Sequence, residues 1–393
     1  MMTIPEIKTV CYVGAGTMGC ANSLVAAISG YDAIIYDIAE ENLALVPAKH
    51  AEFGAYLVAS GYCTAAELAA AAARVTCTSD LGEATENADL VSESVAEELH
   101  VKRAVHRQLD QLCPSHTILT TNTSSLLVSE IEDVVERGDR FAALHSHLRS
   151  PLVDIVGGPR SSSKTIDILT RYVLSTKLVP LVLKKESPGY VLNALIGPVV
   201  TTAMMLVIEG VACKEDVDRA WMLHRRATVG PFGLMDQFGL NVVYDSWQYK
   251  APDSATDLVK AKILRFLDDY VQRGALGAKT GEGFYRYPNP AYEQAGFLEG
   301  GTEVAIPNYA LILALVGNAI LLASNDVADR DEIDRAWTVG MSQDTGPFRL
   351  LDDLGIGAFL ELLGSPASLL PPADVAQIRQ YLSQPEQCEN VGG

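Results

Sequence analysis

The segment from Thr9 to Asp37 constrains the fold more than any other part of the chain. It joins a short apolar run, a glycine turn, a helix-forming run and a second apolar run without interruption. The turn fits the pattern GxGxxG, in which glycines permit the tight turn, the close approach of a pyrophosphate and the packing of helix on strand. The segment therefore predicts a dinucleotide-binding βαβ unit with the phosphates at the helix N-terminus.

A carboxylate follows the second apolar run, where dinucleotide-binding domains bind the adenosine ribose. Asp37 comes 23 residues after Gly14 and can accept hydrogen bonds from the ribose hydroxyls. Residues 38–41 include no arginine that could bind a 2′-phosphate, so we expect NAD rather than NADP as the cofactor. The predicted NAD-binding residues of this segment are Gly14, Gly16, Thr17, Met18, Gly19 and Asp37.

Apolar runs alternate with helix-forming runs up to about residue 186. Eight of these runs are typical of strands, and the alternation predicts an α/β domain with a doubly wound parallel sheet. In such sheets, ligands bind beyond the carboxyl ends of the strands. The polar residues at those ends are therefore site candidates, and they are Glu93, Asn122, Ser124 and His145.

The composition argues against several classes of partner. The chain has 49 acidic and 30 basic residues and a net charge of −19, which disfavours nucleic acid and anionic membranes as partners. The apolar segment from Val191 to Ile208 is interrupted by Asn193 and Pro198, so we expect a buried core helix rather than a membrane span. The seven cysteines lack metal-ligand spacing, and no signal peptide is expected. We therefore predict a cytoplasmic protein without a metal site.

From Ser187 onward, long apolar helical runs replace the strand pattern and contain an internal repeat. Asp218-Arg219-Ala220-Trp221 returns 116 positions later as Asp334-Arg335-Ala336-Trp337, and Gly230-Pro231-Phe232 returns at the same offset as Gly346-Pro347-Phe348. A single offset for separate motifs predicts a duplicated helical domain. The predicted domains are residues 1–186, 187–295 and 303–393.

Motifs along most of the chain resemble those of the 3-hydroxyacyl-CoA dehydrogenase family. In order, they are V-G-A-G-x-M-G at residues 13–19, V-E-x-L-x-V-K at 96–102, S-N-T-S-S-L at 121–126, P-G-F-x-x-N at 188–193, G-P-F at 230–232 and G-x-K-x-G-x-G-F-Y at 277–285. The resemblance implies an α/β Rossmann domain followed by two all-α domains similar to the C-terminal domain of 6-phosphogluconate dehydrogenase. It also implies an NAD-dependent enzyme of fatty acid metabolism that interconverts 3-hydroxyacyl and 3-oxoacyl substrates.

The resemblance implies a catalytic histidine with a carboxylate partner. His145 matches the family's base, and imidazole suits proton transfer near neutral pH. The family's H-F-F-N-P is replaced by His145-Ser146-His147-Leu148-Arg149, and a loop three residues shorter would put Asp154 in the place of the family's glutamate. His147 is a rival candidate for the base. Ser124 and Asn193 match groups that hold the substrate oxygen, and the further cofactor-binding positions implied are Glu97, Lys102 and Asn122.

Substrate recognition differs from the family pattern. The family's early helix carries lysines that meet the CoA nucleotide, but residues 52–60 contain none. Arg149, Arg225 and Arg226 could instead bind a carboxylate or phosphate of the substrate. A solvated basic turn is an equally good interpretation of the pair at 225 and 226. Carnitine and gulonate dehydrogenases also resemble this region, so a free hydroxy acid stays open as the substrate.

Two further expectations follow from the departures and from the repeat. The altered catalytic loop also fits a homologue that binds NAD(H) without catalysis. Family members with one helical domain resemble dimers that pair those domains, so a second copy on the same chain predicts a monomer built as an internal pseudo-dimer rather than a homodimer. The predicted partner is a small molecule.

Overall fold

The computed structural model describes residues 3–248, 257–299, 305–365 and 368–384. The chain divides into two compact units, the first made mainly of residues up to Val191 and the second mainly of residues from Leu192 onward. The first unit also includes Asp326–Ala328 and Val339–Met341. Most of both predicted helical domains falls within the second unit, and the predicted limits at residues 303 and 393 lie outside the described residues.

The first unit contains one eight-stranded sheet with the order β3-β2-β1-β4-β5-β6-β7-β8. Its strands are β1 (Thr9–Val13), β2 (Asp32–Tyr36), β3 (Val75–Thr78), β4 (Leu90–Glu93), β5 (Ile118–Thr121), β6 (Phe141–Ser146), β7 (Leu152–Gly157) and β8 (Val179–Leu183). Its helices are α1 (Thr17–Ile28), α2 (Glu40–Ala44), α3 (Val46–Ala59), α4 (Ala65–Ala71), α5 (Leu81–Thr85), α6 (Leu99–Leu112), α7 (Val128–Glu132) and α8 (Ser163–Ser175). All eight predicted strands are present.

The direction of the last two strands corrects the expectation of a wholly parallel sheet. Neighbouring strands from β3 to β6 run parallel, whereas β7 pairs antiparallel with β6, and β8 runs parallel to β7. Only residues 147–151 connect β6 to β7. A connection of five residues can close a hairpin, but a parallel crossover needs a dozen or more.

The second unit is helical. Its helices are α9 (Leu192–Ile208), α10 (Lys214–Arg225), α11 (Pro231–Phe238), α12 (Leu240–Gln248), α13 (Asp257–Gln272), α14 (Ala305–Ser324), α15 (Arg330–Met341, whose last three residues belong to the first unit), α16 (Pro347–Leu354), α17 (Ile356–Leu363) and α18 (Pro372–Leu382). Helices α10 and α11 recur as α15 and α16 with the same bounds shifted by 116 residues.

The repeat extends to individual hydrogen bonds. The carboxylate of Asp218 accepts from the backbone N–H groups of Phe232 and Gly233 at 2.8 and 3.0 Å. The carboxylate of Asp334 accepts from those of Phe348 and Arg349 at 2.7 and 3.0 Å. In both places an aspartate of one helix binds the first-turn amides of the next, which would otherwise lack partners.

One helix among the described residues is long and apolar enough to cross a membrane by length and composition. The apolar stretch is Pro307–Ser324 in α14, and 67% of this stretch is buried inside the protein. Within the second unit, α14 packs against α9, α10 and α18. This burial is typical of a core helix.

Candidate active site

The glycine turn has the backbone that a pyrophosphate needs. Gly14 has a φ of +107°, and a side chain there would approach the carbonyl oxygen of Ser94 to 2.7 Å. A Cβ on Gly19 would lie 1.9 Å from the carbonyl oxygen of Gly14, so helix and turn touch. A Cβ on Gly16 would meet nothing within 4 Å, which leaves open space at the N-terminus of α1. The free first-turn amides of the helix can bind phosphate there.

Asp37 is fixed at the end of β2 by the glycine turn and by the chain that follows. Its Oδ2 accepts from the backbone N–H of Ala15 at 2.8 Å, and its Oδ1 accepts from that of Ala39 at 3.0 Å and from the side-chain amide of Asn42 at 3.1 Å. The carboxylate is therefore held beside the turn, as ribose recognition requires. These residues fit a bound NAD.

Lys49 is a residue of this region that the sequence analysis missed. Its Nζ donates to the carbonyl oxygen of Ala15 at 2.7 Å. The backbone of Ala15 is thus held by two side chains: its N–H donates to Asp37, and its carbonyl oxygen accepts from Lys49. Lys49 lies on α3, twelve residues beyond Asp37 and outside the motif, so no spacing rule pointed to it.

His145 and Asp154 meet across the antiparallel pair of β6 and β7. They are direct register partners, and His145 Nδ1 donates to Asp154 Oδ2 at 2.9 Å. Both side chains are buried, Asp154 completely. Because an ionised carboxylate only accepts hydrogen bonds, Nδ1 carries the proton and the lone pair of His145 is on Nε2.

His147 binds the same carboxylate oxygen. Its Nε2 donates to Asp154 Oδ2 at 2.8 Å, and the rings of His145 and His147 meet edge to face with centroids 4.4 Å apart. Asp154 Oδ1 is buried and has no hydrogen-bond partner among the described residues. His145, His147 and Asp154 also bring three atoms of types that can bind a metal within 4.8 Å of one another. Both ring nitrogens point at one oxygen, which is the geometry of two hydrogen bonds to a shared acceptor.

Electrostatics favour a neutral imidazole beside an ionised carboxylate. Burial lowers the pKa of His145 below its ordinary value, although the hydrogen bond to Asp154 opposes this shift. Burial alone would raise the pKa of Asp154, but the hydrogen bonds from His145 and His147 outweigh it and hold that pKa below its usual range. His145 is therefore able to accept a proton near neutral pH.

A buried tyrosine lies beside the histidine. The ring of Tyr190 is 5.4 Å from that of His145 by centroids, and Tyr190 has a φ of +51°, which is unusual for a residue with a side chain. Its hydroxyl is buried and has no hydrogen-bond partner among the described residues. Burial, reinforced by the charge of Asp154, raises the pKa of Tyr190, so the phenol stays neutral.

Glu97 organises the loop that carries Ser124. Its Oε1 accepts from Thr123 Oγ1 at 2.6 Å and from the backbone N–H groups of Ser124 and Ser125 at 2.8 and 2.9 Å. Burial opposes ionisation, but the charge of Lys102 and these hydrogen bonds lower the pKa of Glu97. In this arrangement Glu97 binds the protein's own loop and fixes the position of Ser124.

Lys102 belongs to a buried ion pair. Its Nζ donates to Glu93 Oε1 at 2.7 Å and lies 3.3 Å from Glu97 Oε2, and only 1% of the side chain is exposed. Burial alone would raise the pKa of Glu93, but the hydrogen bond from His106 and the charge of Lys102 outweigh this effect and lower that pKa to about 2. Lys102 thus contacts Glu93 and Glu97, the second of which binds the loop that carries Ser124. Contact of Lys102 with NAD stays a prediction.

Asn122 connects the ends of two strands. Its Oδ1 accepts from the backbone N–H of Ser146 at 2.9 Å. Asn122 follows β5 and Ser146 ends β6, so the bond secures the segment that contains both histidines. The carboxyl ends of β1, β4, β5 and β6 meet at one edge of the sheet because these strands are parallel. The glycine turn, Asn122, Ser124 and His145 all follow or end those strands.

The predicted arginines have different surroundings. Arg149 has a φ of +61°, its guanidinium lies over the ring of Tyr56 at 5.4 Å, and its side chain is 60% exposed. Arg225 is buried in the second unit and donates to the carbonyl oxygen of Thr345 at 2.9 Å, and burial lowers its pKa to about 10. The guanidinium of Arg225 therefore bonds the repeated segment, and contact of Arg225 with substrate stays a prediction. Arg226 is exposed and ends α10 in a left-handed conformation.

Asn193 lies exposed in the first turn of α9, in the second unit. Its contact with substrate stays a prediction.

The chain is similar in sequence to known proteins. A sequence profile described as 3-hydroxyacyl-CoA dehydrogenase, NAD binding domain, matches residues 9–187, and one described as 3-hydroxyacyl-CoA dehydrogenase, C-terminal domain, matches residues 189–287. The mitochondrial hydroxyacyl-coenzyme A dehydrogenase of Rattus norvegicus is 32% identical over 293 residues, which cover 72% of this chain and 91% of the relative.

Two solved structures are similar as well. A diketoreductase, described as catalysing reactions of dicarbonyl compounds, is 30% identical with a TM-score of 0.66, covering 73% of this chain and all of the other. The 3-hydroxybutyryl-CoA dehydrogenase of Escherichia coli K12 is 22% identical with a TM-score of 0.77, covering 95% of this chain and 99% of the other. The second likeness concerns the fold alone, and it extends over nearly the whole chain.

Proposed function

Because the chain belongs to the 3-hydroxyacyl-CoA dehydrogenase family, we propose that His145 is its catalytic base and Asp154 the carboxylate that orients this base. The family makes the protein an NAD-dependent oxidoreductase that interconverts 3-hydroxyacyl and 3-oxoacyl substrates. The observation that carries the proposal is the hydrogen bond of 2.9 Å between His145 Nδ1 and Asp154 Oδ2. It leaves Nε2 as the free lone pair of a buried, neutral imidazole.

In the oxidation, His145 Nε2 accepts the proton of the substrate's 3-hydroxyl group. The glycine turn and Asp37 would hold NAD, which would supply the acceptor for the hydride of the same carbon. The imidazolium that forms is stabilised by the charge of Asp154, as a carboxylate stabilises a catalytic histidine in other dyads. In the reduction, the same nitrogen returns the proton to the substrate oxygen. Ser124, held by Glu97, is proposed to donate a hydrogen bond to that oxygen.

The substrate class is open to two versions of this chemistry. One is a CoA thioester, as in the family name. The other is a free hydroxy acid or dicarbonyl compound, and three observations support it: no lysine in residues 52–60, an exposed guanidinium at Arg149, and the likeness to a diketoreductase. Arg149 lies in the turn between β6 and β7, four residues after the proposed base His145 in the sequence, and could bind a substrate carboxylate.

NADH oxidation followed at 340 nm would test the proposal, with acetoacetyl-CoA in one arm and free 3-oxo acids in the other. Turnover with acetoacetyl-CoA would support the thioester, and turnover with free acids alone would support the second version. Binding of NADH without turnover in either arm would contradict the assignment of His145 as a working base.

We also propose that the second unit contains a duplicated helical domain and that the chain acts as a monomeric pseudo-dimer. The equal offset of the Asp218 and Asp334 hydrogen bonds supports the duplication. So does the edge-to-face contact of Trp221 with Trp337, whose ring centroids are 6.0 Å apart and which occupy equivalent positions. Light scattering would give the mass in solution, and a homodimer would contradict the pseudo-dimer.

A further inference from the structure

Two histidines compete for a single carboxylate oxygen in the proposed active site. His145 Nδ1 and His147 Nε2 lie 2.9 and 2.8 Å from Asp154 Oδ2. Both histidine side chains are almost completely buried. We propose that His147 is a positioning residue that shares Asp154 with His145 and thereby lowers the basicity of His145. This inference rests on the proposed role of His145 as the base.

The competition follows from the charge available on Asp154. The carboxylate carries one negative charge, and Oδ2 accepts both hydrogen bonds while Oδ1 has no partner among the described residues. Each N–H donor withdraws part of the charge that would otherwise stabilise a protonated His145. The imidazolium of His145 is therefore less stable beside Asp154 with two donors than it would be beside Asp154 with one donor.

A second effect acts in the same direction when His147 is protonated. The two rings are 4.4 Å apart by centroids, so a positive charge on His147 would repel one on His145. His147 is only slightly exposed, with 11% of its side chain accessible, so water screens this repulsion weakly. Hydrogen bonding and repulsion both favour the neutral form of His145, which is the form that accepts a proton.

The charged and titratable groups around His145 lie on several elements of the first unit. Asp154 on β7 and Glu97 after β4 favour the protonated form of His145, and His147 opposes it. Tyr190 packs on the ring and stays neutral. Lys102 lies 3.3 Å from Glu97 and offsets its charge. Among these groups, His147 is the one whose removal changes the hydrogen bonding of Asp154 directly.

The family motif H-F-F-N-P gives the matched variant, because its second phenylalanine corresponds to His147 in the sequence comparison above. His147→Phe removes both the hydrogen bond and the charge. His147→Gln places an amide N–H near the position of Nε2 but cannot carry a charge. The two variants therefore separate hydrogen bonding from repulsion, and the glutamine variant guards against a phenylalanine variant that fails to fold.

The pH profile of kcat/KM for oxidation tests the inference, since its acid limb reports protonation of the base in the free enzyme. In His147→Phe the acid limb should move to higher pH by about one unit, the size expected for one charge-assisted hydrogen bond. In His147→Gln the shift should be smaller. An acid limb unchanged in both variants would overturn the inference. So would loss of all turnover in His147→Phe with turnover kept in His145→Ala, because His147 would then be the base itself.

A readout without turnover separates this inference from the proposed function. Nitrogen-15 NMR of the whole protein would show the His145 proton on Nδ1 and follow its titration in the unmodified protein and in both variants. A titration of His145 that moves upward in His147→Phe supports the shared carboxylate even if no substrate turns over. Normal turnover with a stationary titration would overturn the shared carboxylate and leave the proposed function intact.

Discussion

His145 and Asp154 face each other as register partners of strands β6 and β7, nine positions apart in the chain, with 2.9 Å between their hydrogen-bonded atoms. The pairing depends on the antiparallel direction of β7. A short hairpin thus brings a carboxylate one methylene shorter than the family's glutamate within hydrogen-bond distance of His145, the proposed base.

Asp154→Asn should lower turnover strongly while NAD affinity stays near that of the unmodified enzyme. Asparagine cannot supply the charge that stabilises the imidazolium, and its amide can leave His145 in the wrong tautomer. We expect a loss of kcat of about 10²- to 10⁴-fold, by comparison with other histidine–carboxylate pairs. Steady-state kinetics with NADH titration measure both quantities. Unchanged kcat would reject Asp154 as the partner of the base.

Asp37→Ala should weaken NADH binding and reduce the preference for NADH over NADPH. The carboxylate offers ribose hydrogen bonds and repels a 2′-phosphate, so its loss affects the two cofactors in opposite directions. Fluorescence titrations with both nucleotides give the ratio of affinities. Equal affinity of the unmodified protein for NADH and NADPH would contradict this role.

Tyr190→Phe should leave the protein as stable as before or stabilise it by up to about 1 kcal/mol, because it removes a buried hydroxyl without a described partner. Tyr12→Phe is the matched control, since the Tyr12 hydroxyl is buried and bonded to that of Tyr172 at 2.9 Å. The control should lose about 1 kcal/mol. Urea unfolding of the two variants decides the matter, and destabilisation by Tyr190→Phe would mean that its hydroxyl has a bound partner such as water.

Arg225→Gln should destabilise the protein by about 1–3 kcal/mol, because the buried guanidinium bonds the Thr345 carbonyl and a lost buried hydrogen bond leaves its acceptor unpaired. Arg226→Gln, at the exposed neighbouring position, should change stability by less than about 0.5 kcal/mol. Thermal unfolding measures both. Equal stability of the two variants, with a raised KM in Arg225→Gln, would contradict the structural role and support the substrate-binding interpretation of Arg225.

Asp218→Ala should cost more stability than Asp334→Ala, although both carboxylates make the same two backbone hydrogen bonds. Asp218 is completely buried and also accepts from the Tyr285 hydroxyl at 2.9 Å, whereas Asp334 is half-buried. We expect losses of about 3 and about 1 kcal/mol, since unsatisfied groups cost more when they are buried. Denaturant unfolding compares the two variants, and a larger loss at Asp334 would show that this aspartate contributes more stability than its burial suggests.

Local patterns were sufficient for much of the fold. The glycine turn and Asp37 predicted NAD as the cofactor, which the family confirms, because their geometry is set within a single βαβ unit. The eight strands were found because buried runs and turn residues leave a local signal. The repeat at 116 residues was readable because separate motifs kept one offset, and α10 and α11 recur as α15 and α16 at that offset.

Only the tertiary structure decided which way β7 runs and which side chains meet. Strand direction depends on the length of a connection and on pairing with a neighbour, and neither leaves a mark on the periodicity of the strand itself. The second hydrogen bond to Asp154 and the burial of Arg225 against Thr345 arise from contacts between distant residues. The sequence by itself predicted the cofactor and the class of reaction, and the packing of strands and helices determined which groups surround the proposed base.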